Sequence, residues 1–146
     1  MKNREWKRGK ITISTDREKL QPDAILDYLV NQSYWAQTRT REQLKNVIEH
    51  SMCFGVYNDM TQIGFGRVLT DYATFAYLAD VYILPEHQGN GLGIWLMEIM
   101  SDHPDLQGFR RWILATRDAH LLYEKYGFTK LKNPERWMEK TAPGAY

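Results

Sequence analysis

Apolar and polar positions repeat with a period of two in some stretches of the chain and of about 3.6 in others, and the switches between them mark out the elements. Ile11-Thr12-Ile13-Ser14 reads as a short strand. Pro22 and Asp23 open a helix that carries Ile25, Leu26, Leu29 and Val30. Asn31 to Thr38 is polar apart from Tyr34, Trp35 and Ala36, and predicts a loop. Thr40 followed by Gln43 has the form of a capping box, so a second helix begins there with Leu44, Val47 and Ile48 on its core side. Met52 to Tyr57 and Gln62 to Leu69 predict a hairpin about Asn58-Asp59. A second turn begins at Asp71-Tyr72, and Thr74 to Leu84 runs on as a central strand, apolar on both faces. Simple alternation puts Phe75, Tyr77, Ala79, Val81 and Ile83 on one face, and Ala76, Leu78, Asp80, Tyr82 and Leu84 on the other.

At Pro85 the period changes. Leu92, Trp95, Leu96, Ile99 and Met100 follow the spacing of one helix face, and Gly89, Gly91 and Gly93 stand between the strand and that helix. The first N–H groups of a helix have no internal partners, and its dipole adds partial positive charge there. Glycines let a bulky anion approach such a backbone closely. A phosphate or pyrophosphate therefore fits at Gln88 to Gly93. Further on, Trp112 to Ala115 is a buried-type strand, and Asp118 or Ala119 opens a short helix that Gly127 ends. Phe128 to Leu131 predicts another strand, with Trp137-Met138-Glu139 as a candidate edge strand. The expected order is β-α-α-β-β-β-α-β-α-β, with room for one strand more.

Length and composition favour a single domain over residues 1–146, with 1–9 a solvated basic leader and 141–146 a frayed tail. Hydrophobic residues at 43% and aromatic residues at 13% are enough to fill a core. Nineteen basic and eighteen acidic residues give a net charge of +1, which makes no case for a nucleic-acid or membrane-surface partner. Cys53, the one cysteine, allows no internal disulfide and no multi-cysteine zinc site, and reads as a core thiol. The four histidines show no zinc spacing, so no metal is expected. The N-terminal stretch lacks a signal-peptide apolar region, and no run approaches the ~18 apolar residues of a span; a cytoplasmic location is expected.

A Walker-type loop needs Lys and Ser or Thr after its last glycine, where this chain has Ile94 and Trp95. The glycine spacing also misses the dinucleotide fingerprint. Gln88-Gly89-Asn90-Gly91-Leu92-Gly93 instead matches the pattern Gln/Arg-x-x-Gly-x-Gly/Ala. Following a strand that ends in a proline turn, it resembles the coenzyme A loop of the GNAT superfamily of N-acetyltransferases. About thirty residues later, Asp118-Ala119-His120-Leu121-Leu122-Tyr123-Glu124-Lys125-Tyr126-Gly127-Phe128 resembles the family's Asn-x-x-Ala-x-x-Leu-Tyr-x-x-x-Gly-Phe segment, with Asp118 where Asn is common. The likeness runs from Ile11 to about Met138. It implies an α/β (α+β) fold: a mixed, mainly antiparallel sheet of six to seven strands flanked by about four helices.

The resemblance also implies roles. Acetyl-CoA is the co-substrate, its pyrophosphate held by Gln88, Gly89, Asn90, Gly91, Leu92 and Gly93, with Asp118 a further contact. Its pantetheine arm pairs with the backbone of Val81, Tyr82 and Ile83, where the strand splays from its parallel neighbour, and one N–H there polarises the thioester carbonyl. Tyr123 protonates the departing thiolate. Asp80, an acid in an apolar strand, is the candidate base, on the ground that desolvation raises a carboxylate's pKa; the other reading makes it structural, at a bulge or paired with Arg67. Glu86 is an alternative base. Tyr34, Trp35, Arg39, Asp71 and Tyr72 are expected to line the acceptor site, with Trp35 equally readable as a core plug.

The function this predicts is transfer of an acetyl group from acetyl-CoA to a primary amine, one of a small molecule, by direct attack in a ternary complex. The alternative is a non-catalytic acyl-CoA-binding regulatory module. Neither nucleic acid nor membrane is an expected partner, and the chain is expected to be a monomer or homodimer.

Overall fold

A computed structural model describes residues 2–144. Strands β1 (Glu5–Arg8) and β2 (Ile11–Ser14) lead into helices α1 (Pro22–Asn31) and α2 (Arg41–Glu49). Strands β3 (Met52–Asn58), β4 (Thr61–Thr70) and β5 (Phe75–Ile83) follow, then α3 (Leu92–Asp102), β6 (Arg111–Ile113) and the short α4 (His120–Glu124). The six strands lie in one sheet in chain order, every pair antiparallel except β5 with β6. The predicted α/β class, mainly antiparallel, is the one observed.

Each face of the sheet has its own core. On one face α3 buries Trp95, Leu96, Met97, Ile99 and Met100 against Ile13, Phe54, Val56, Ile63 and Leu78. On the other, Ile25 and Leu29 of α1 and Leu44 of α2 pack on Cys53, Phe65 and Tyr82. The Thr40–Gln43 capping box forms as its spacing predicts: the Gln43 N–H donates to Thr40 Oγ1 at 3.1 Å, and the Thr40 N–H donates to Gln43 Oε1 at 2.9 Å.

Three local expectations are corrected. The basic leader is a strand from Glu5 onward, paired with β2. Trp6 stacks on Phe54 with ring centres 6.5 Å apart, and the Arg8 guanidinium lies 4.5 Å from the centre of the Trp95 ring. Phe128–Leu131 and Trp137–Glu139 are not strands. That tail follows β6 through side chains, with Arg111 over the Trp137 ring at 4.6 Å and Trp112 edge-on to Phe128.

The third correction concerns β5. Arg67 pairs with Ala79 and Phe65 with Tyr82, so Gly66 faces two residues, Asp80 and Val81. This is a β-bulge, and Asp80 takes the left-handed φ of +54° that it needs. Asp tolerates that conformation better than most residues. The extra residue reverses the phase of the strand. Leu78 and Ile83 consequently share the α3 core, while Tyr82 joins the opposite one.

Candidate active site

The parallel β5–β6 ladder is short. It runs from Phe75 opposite Arg111 to Tyr77 opposite Ile113 and then stops, whereas β5 continues to Ile83 beside β4. Among the described residues no strand pairs with the β6-facing edge of β5 beyond Tyr77, the splay that the resemblance implied. A cleft of about 630 Å³ opens there. Leu78 to Val81 form one wall, Leu114 to Ala119 with Tyr123 another, and Tyr34, Trp35, Arg39 and Arg67 complete it. Of the three pantetheine positions only Val81 lines the cleft; the side chains of Tyr82 and Ile83 are buried in the two cores. A larger cleft of about 780 Å³, between β6 and the C-terminal tail, contains none of the predicted site residues.

The glycine turn has the predicted form. Gly89 and Gly91 adopt φ of +85° and +78°, so both positions require glycine. Gly91 is the N-cap of α3, and no side chain caps the helix. Among the described residues no carbonyl accepts from the N–H groups of Gly89 to Ile94. Gly93 is helical, and a Cβ there would meet nothing within 4 Å. No packing within the chain explains a glycine at that position, although it costs about 1 kcal/mol of helix propensity relative to alanine. The space and the free donors together suit a diphosphate. Gln88 plays a different part: its side-chain amide donates to the Ile83 carbonyl at 2.8 Å and ties the turn to the end of β5. Asn90, Leu92 and Asp118 are exposed or half-exposed, and Asp118 is 3.7 Å from the Arg117 guanidinium.

Tyr123 reaches the cleft from α4. Its ring packs edge-on against Phe128, and among the described residues no group hydrogen-bonds its hydroxyl. Burial, then Tyr34 and Asp118, raises its pKa. The phenol is thus protonated at neutral pH and free to donate.

Asp80 departs from its expected role. Trp35 Nε1 donates to its Oδ1 at 2.8 Å, and Arg39 Nη2 to the same oxygen at 3.4 Å. Arg67 Nε donates to Oδ2 at 2.7 Å, joined by Arg39 Nη1 at 3.0 Å. Burial pushes the carboxyl pKa up, but the Arg39 and Arg67 guanidiniums outweigh it, and the group is held below its ordinary value. The expected rise is not found. A carboxylate with both oxygens engaged by guanidinium and indole donors is a weak proton acceptor. It acts as an anchor, fixing Trp35 and Arg39 of the α1–α2 loop over the bulge.

Two predicted acceptor residues lie elsewhere. Asp71 and Tyr72 form the β4–β5 turn and do not line the cleft. The Asp71 carboxylate accepts from the N–H groups of Ala73, Thr74 and Phe75, at 2.9, 2.7 and 3.2 Å, and from the Thr74 hydroxyl. Those bonds, the Thr74 hydroxyl first, drive its pKa far down. In contrast Tyr34, Trp35 and Arg39 do line the cleft. Arg117 and Tyr77 line it as well and were not singled out from sequence, although Arg117 adjoins the Asp118–Phe128 segment. Among the described residues no group of side chains is arranged to hold a metal ion, and no helix is long and apolar enough to cross a membrane.

Comparison with known proteins assigns the class to which this mixed, splayed sheet with its glycine-rich helix start belongs. Residues 49–130, more than half of the chain, match the family described as "Acetyltransferase (GNAT) domain". A protein of Gibberella zeae named as a candidate acetyltransferase is 37% identical, over 85% of this chain and 81% of that one. A crystal structure of a candidate GNAT-family acetyltransferase from Xanthomonas campestris pv. campestris is 46% identical, with a TM-score of 0.90 over 93% of this chain and 96% of that one. A predicted acetyltransferase from Clostridium acetobutylicum, solved with acetyl-CoA, shares the fold at a TM-score of 0.64 and 13% identity over 96% and 95% of the two chains. The chain belongs to the GNAT acetyltransferase family. Acyl transfer is the activity that membership supports.

Proposed function

We propose that the protein transfers an acetyl group from acetyl-CoA to the primary amine of a small molecule, by direct attack and without an acyl-enzyme. The observation that carries this reading is the unpaired β5 edge facing the unbonded Tyr123 hydroxyl across one cleft. The solved neighbour from Clostridium acetobutylicum holds acetyl-CoA, which supports the choice of donor. The free N–H groups from Gly89 to Ile94 would hold the diphosphate. The β5 edge near Val81 would receive the pantetheine amides as an added strand. Acetyl-CoA supplies the activated thioester.

In the transfer a C–N bond forms as the C–S bond breaks. Tyr123 gives its proton to the departing sulfur and regains one from solvent, while the nitrogen, which attacks as the neutral amine, releases one proton to solvent as the amide forms. The buried thiol of Cys53, raised to about 12 mainly by desolvation, lies in the α1–α2 core outside the cleft and is unfit to carry an acyl group. Asp80 serves here as a positioning residue. The test is a panel of amines incubated with acetyl-CoA, following thiol release and product mass. Coenzyme binding with no turnover on any amine would favour a non-catalytic acyl-CoA-binding module.

A further inference from the structure

The floor of the cleft carries more positive than negative charge. Arg39 and Arg67 have side chains only 15% and 13% exposed, and both pair with one carboxylate, that of Asp80, 2% exposed. Asp80 neutralises one of the two guanidiniums. Arg67 donates through Nε to Asp80 and through Nη1 to Ser51 Oγ at 3.2 Å, and among the described residues nothing accepts from its Nη2. At the rim, Arg117 and Asp118 lie close to each other, are exposed, and cancel. An anchor for Asp80 alone would need one guanidinium; withdrawing a second from water without a counter-charge is unfavourable. A guanidinium 13% exposed, with a donor left over at the wall of a cleft, fits a carboxylate or phosphate oxygen.

We propose that the acceptor amine also carries an anionic group, a carboxylate or a phosphate monoester, which docks on Arg67 and Arg39 at the floor of the cleft. This rests on the acyl-transfer reading above and narrows its acceptor: an amine with only positive charge meets a net positive charge there.

The test uses the full chain and matched pairs of compounds. One arm sets amino acids against their decarboxylated amines, and the other sets amino-sugar phosphates against the parent amino sugars. For each pair, kcat/KM is measured with acetyl-CoA, and binding to the coenzyme A-saturated protein is measured by calorimetry. In at least one arm the anionic member is expected to bind and react about 10- to 100-fold better; the arm that responds separates carboxylate from phosphate. Arg67→Lys keeps the charge beside Asp80 and is expected to narrow that ratio about tenfold through KM, with kcat little changed. Equal or better use of the uncharged or cationic members, or no binding of any anionic member at millimolar concentration, overturns the proposal. The wild-type comparison stands even where the variant fails to fold. Anionic binding with no thiol release would end the acetyl-transfer reading and leave the anion site. Equal turnover within every pair would do the reverse.

Discussion

The backbone N–H of Arg117 donates to the Tyr34 hydroxyl at 2.8 Å, and the guanidinium of Arg117 lies 3.9 Å from the centre of the Tyr34 ring. One residue thus grips both ends of the other across the cleft, joining the α1–α2 loop to the β6–α4 loop. Tyr34→Phe removes the acceptor and keeps the ring. The bond is solvent-exposed, so the expected loss of stability is small, about 0.5–1 kcal/mol. The acceptor KM is expected to rise while the KM for acetyl-CoA stays. Denaturant titration and steady-state kinetics check the two parts.

Tyr123→Phe is expected to lower kcat about 100-fold with coenzyme affinity nearly unchanged. The sign of the pH effect follows from the raised pKa of this group. An acid donates only while protonated, so turnover falls on the alkaline side, above the ordinary phenol value of ~10. That falling limb should be missing from the kcat profile of the variant. Equal activity in wild type and variant would remove the assigned role.

Gly93→Ala separates stability from binding. The helix gains about 1 kcal/mol and the added methyl meets nothing within 4 Å, so the free protein should melt higher by about 2–4 °C. The methyl enters the space assigned to the diphosphate, and affinity for acetyl-CoA is expected to fall at least tenfold. Calorimetric melting with and without coenzyme reads both effects on one sample.

Asp80→Ala leaves two nearly buried guanidiniums without their counter-charge and is expected to cost about 3–5 kcal/mol. The wild-type carboxyl has a pKa below its ordinary value of 3.8. Its stabilisation is therefore full above that value and is lost as pH falls through the lower native pKa. Unfolding free energy in urea at pH 7 and at pH 3 should show the gap between variant and wild type narrowing in acid.

Much of this architecture was legible in the sequence because local signals agreed with the tertiary outcome. Thr40 and Gln43 cap α2 with bonds that any helix start would make. The glycine turn followed by the Leu92–Met100 face located α3 without reference to the rest of the chain. What was not legible depends on partners distant in sequence. Glu5–Arg8 alternates weakly and buries only the Trp6 side, so its charges read as a solvated tail rather than as an edge strand. The bulge at Asp80 arises from register against Gly66, which alternation within β5 cannot reveal. The same bulge directs Asp80 toward Arg39, 41 positions away, and turns an expected base into an anchor. Asp71 read as site-lining because loops on a rigid scaffold commonly carry specificity; here its own turn uses it up.

Cys53 has a practical consequence for every kinetic test above. A sole sulfhydryl 2% exposed and raised to about 12 is silent toward disulfide reagents at assay pH. Colour developed by such a reagent in a reaction mixture would then report coenzyme turnover alone, with no background from the folded enzyme. Slow appearance of one extra equivalent would instead record unfolding.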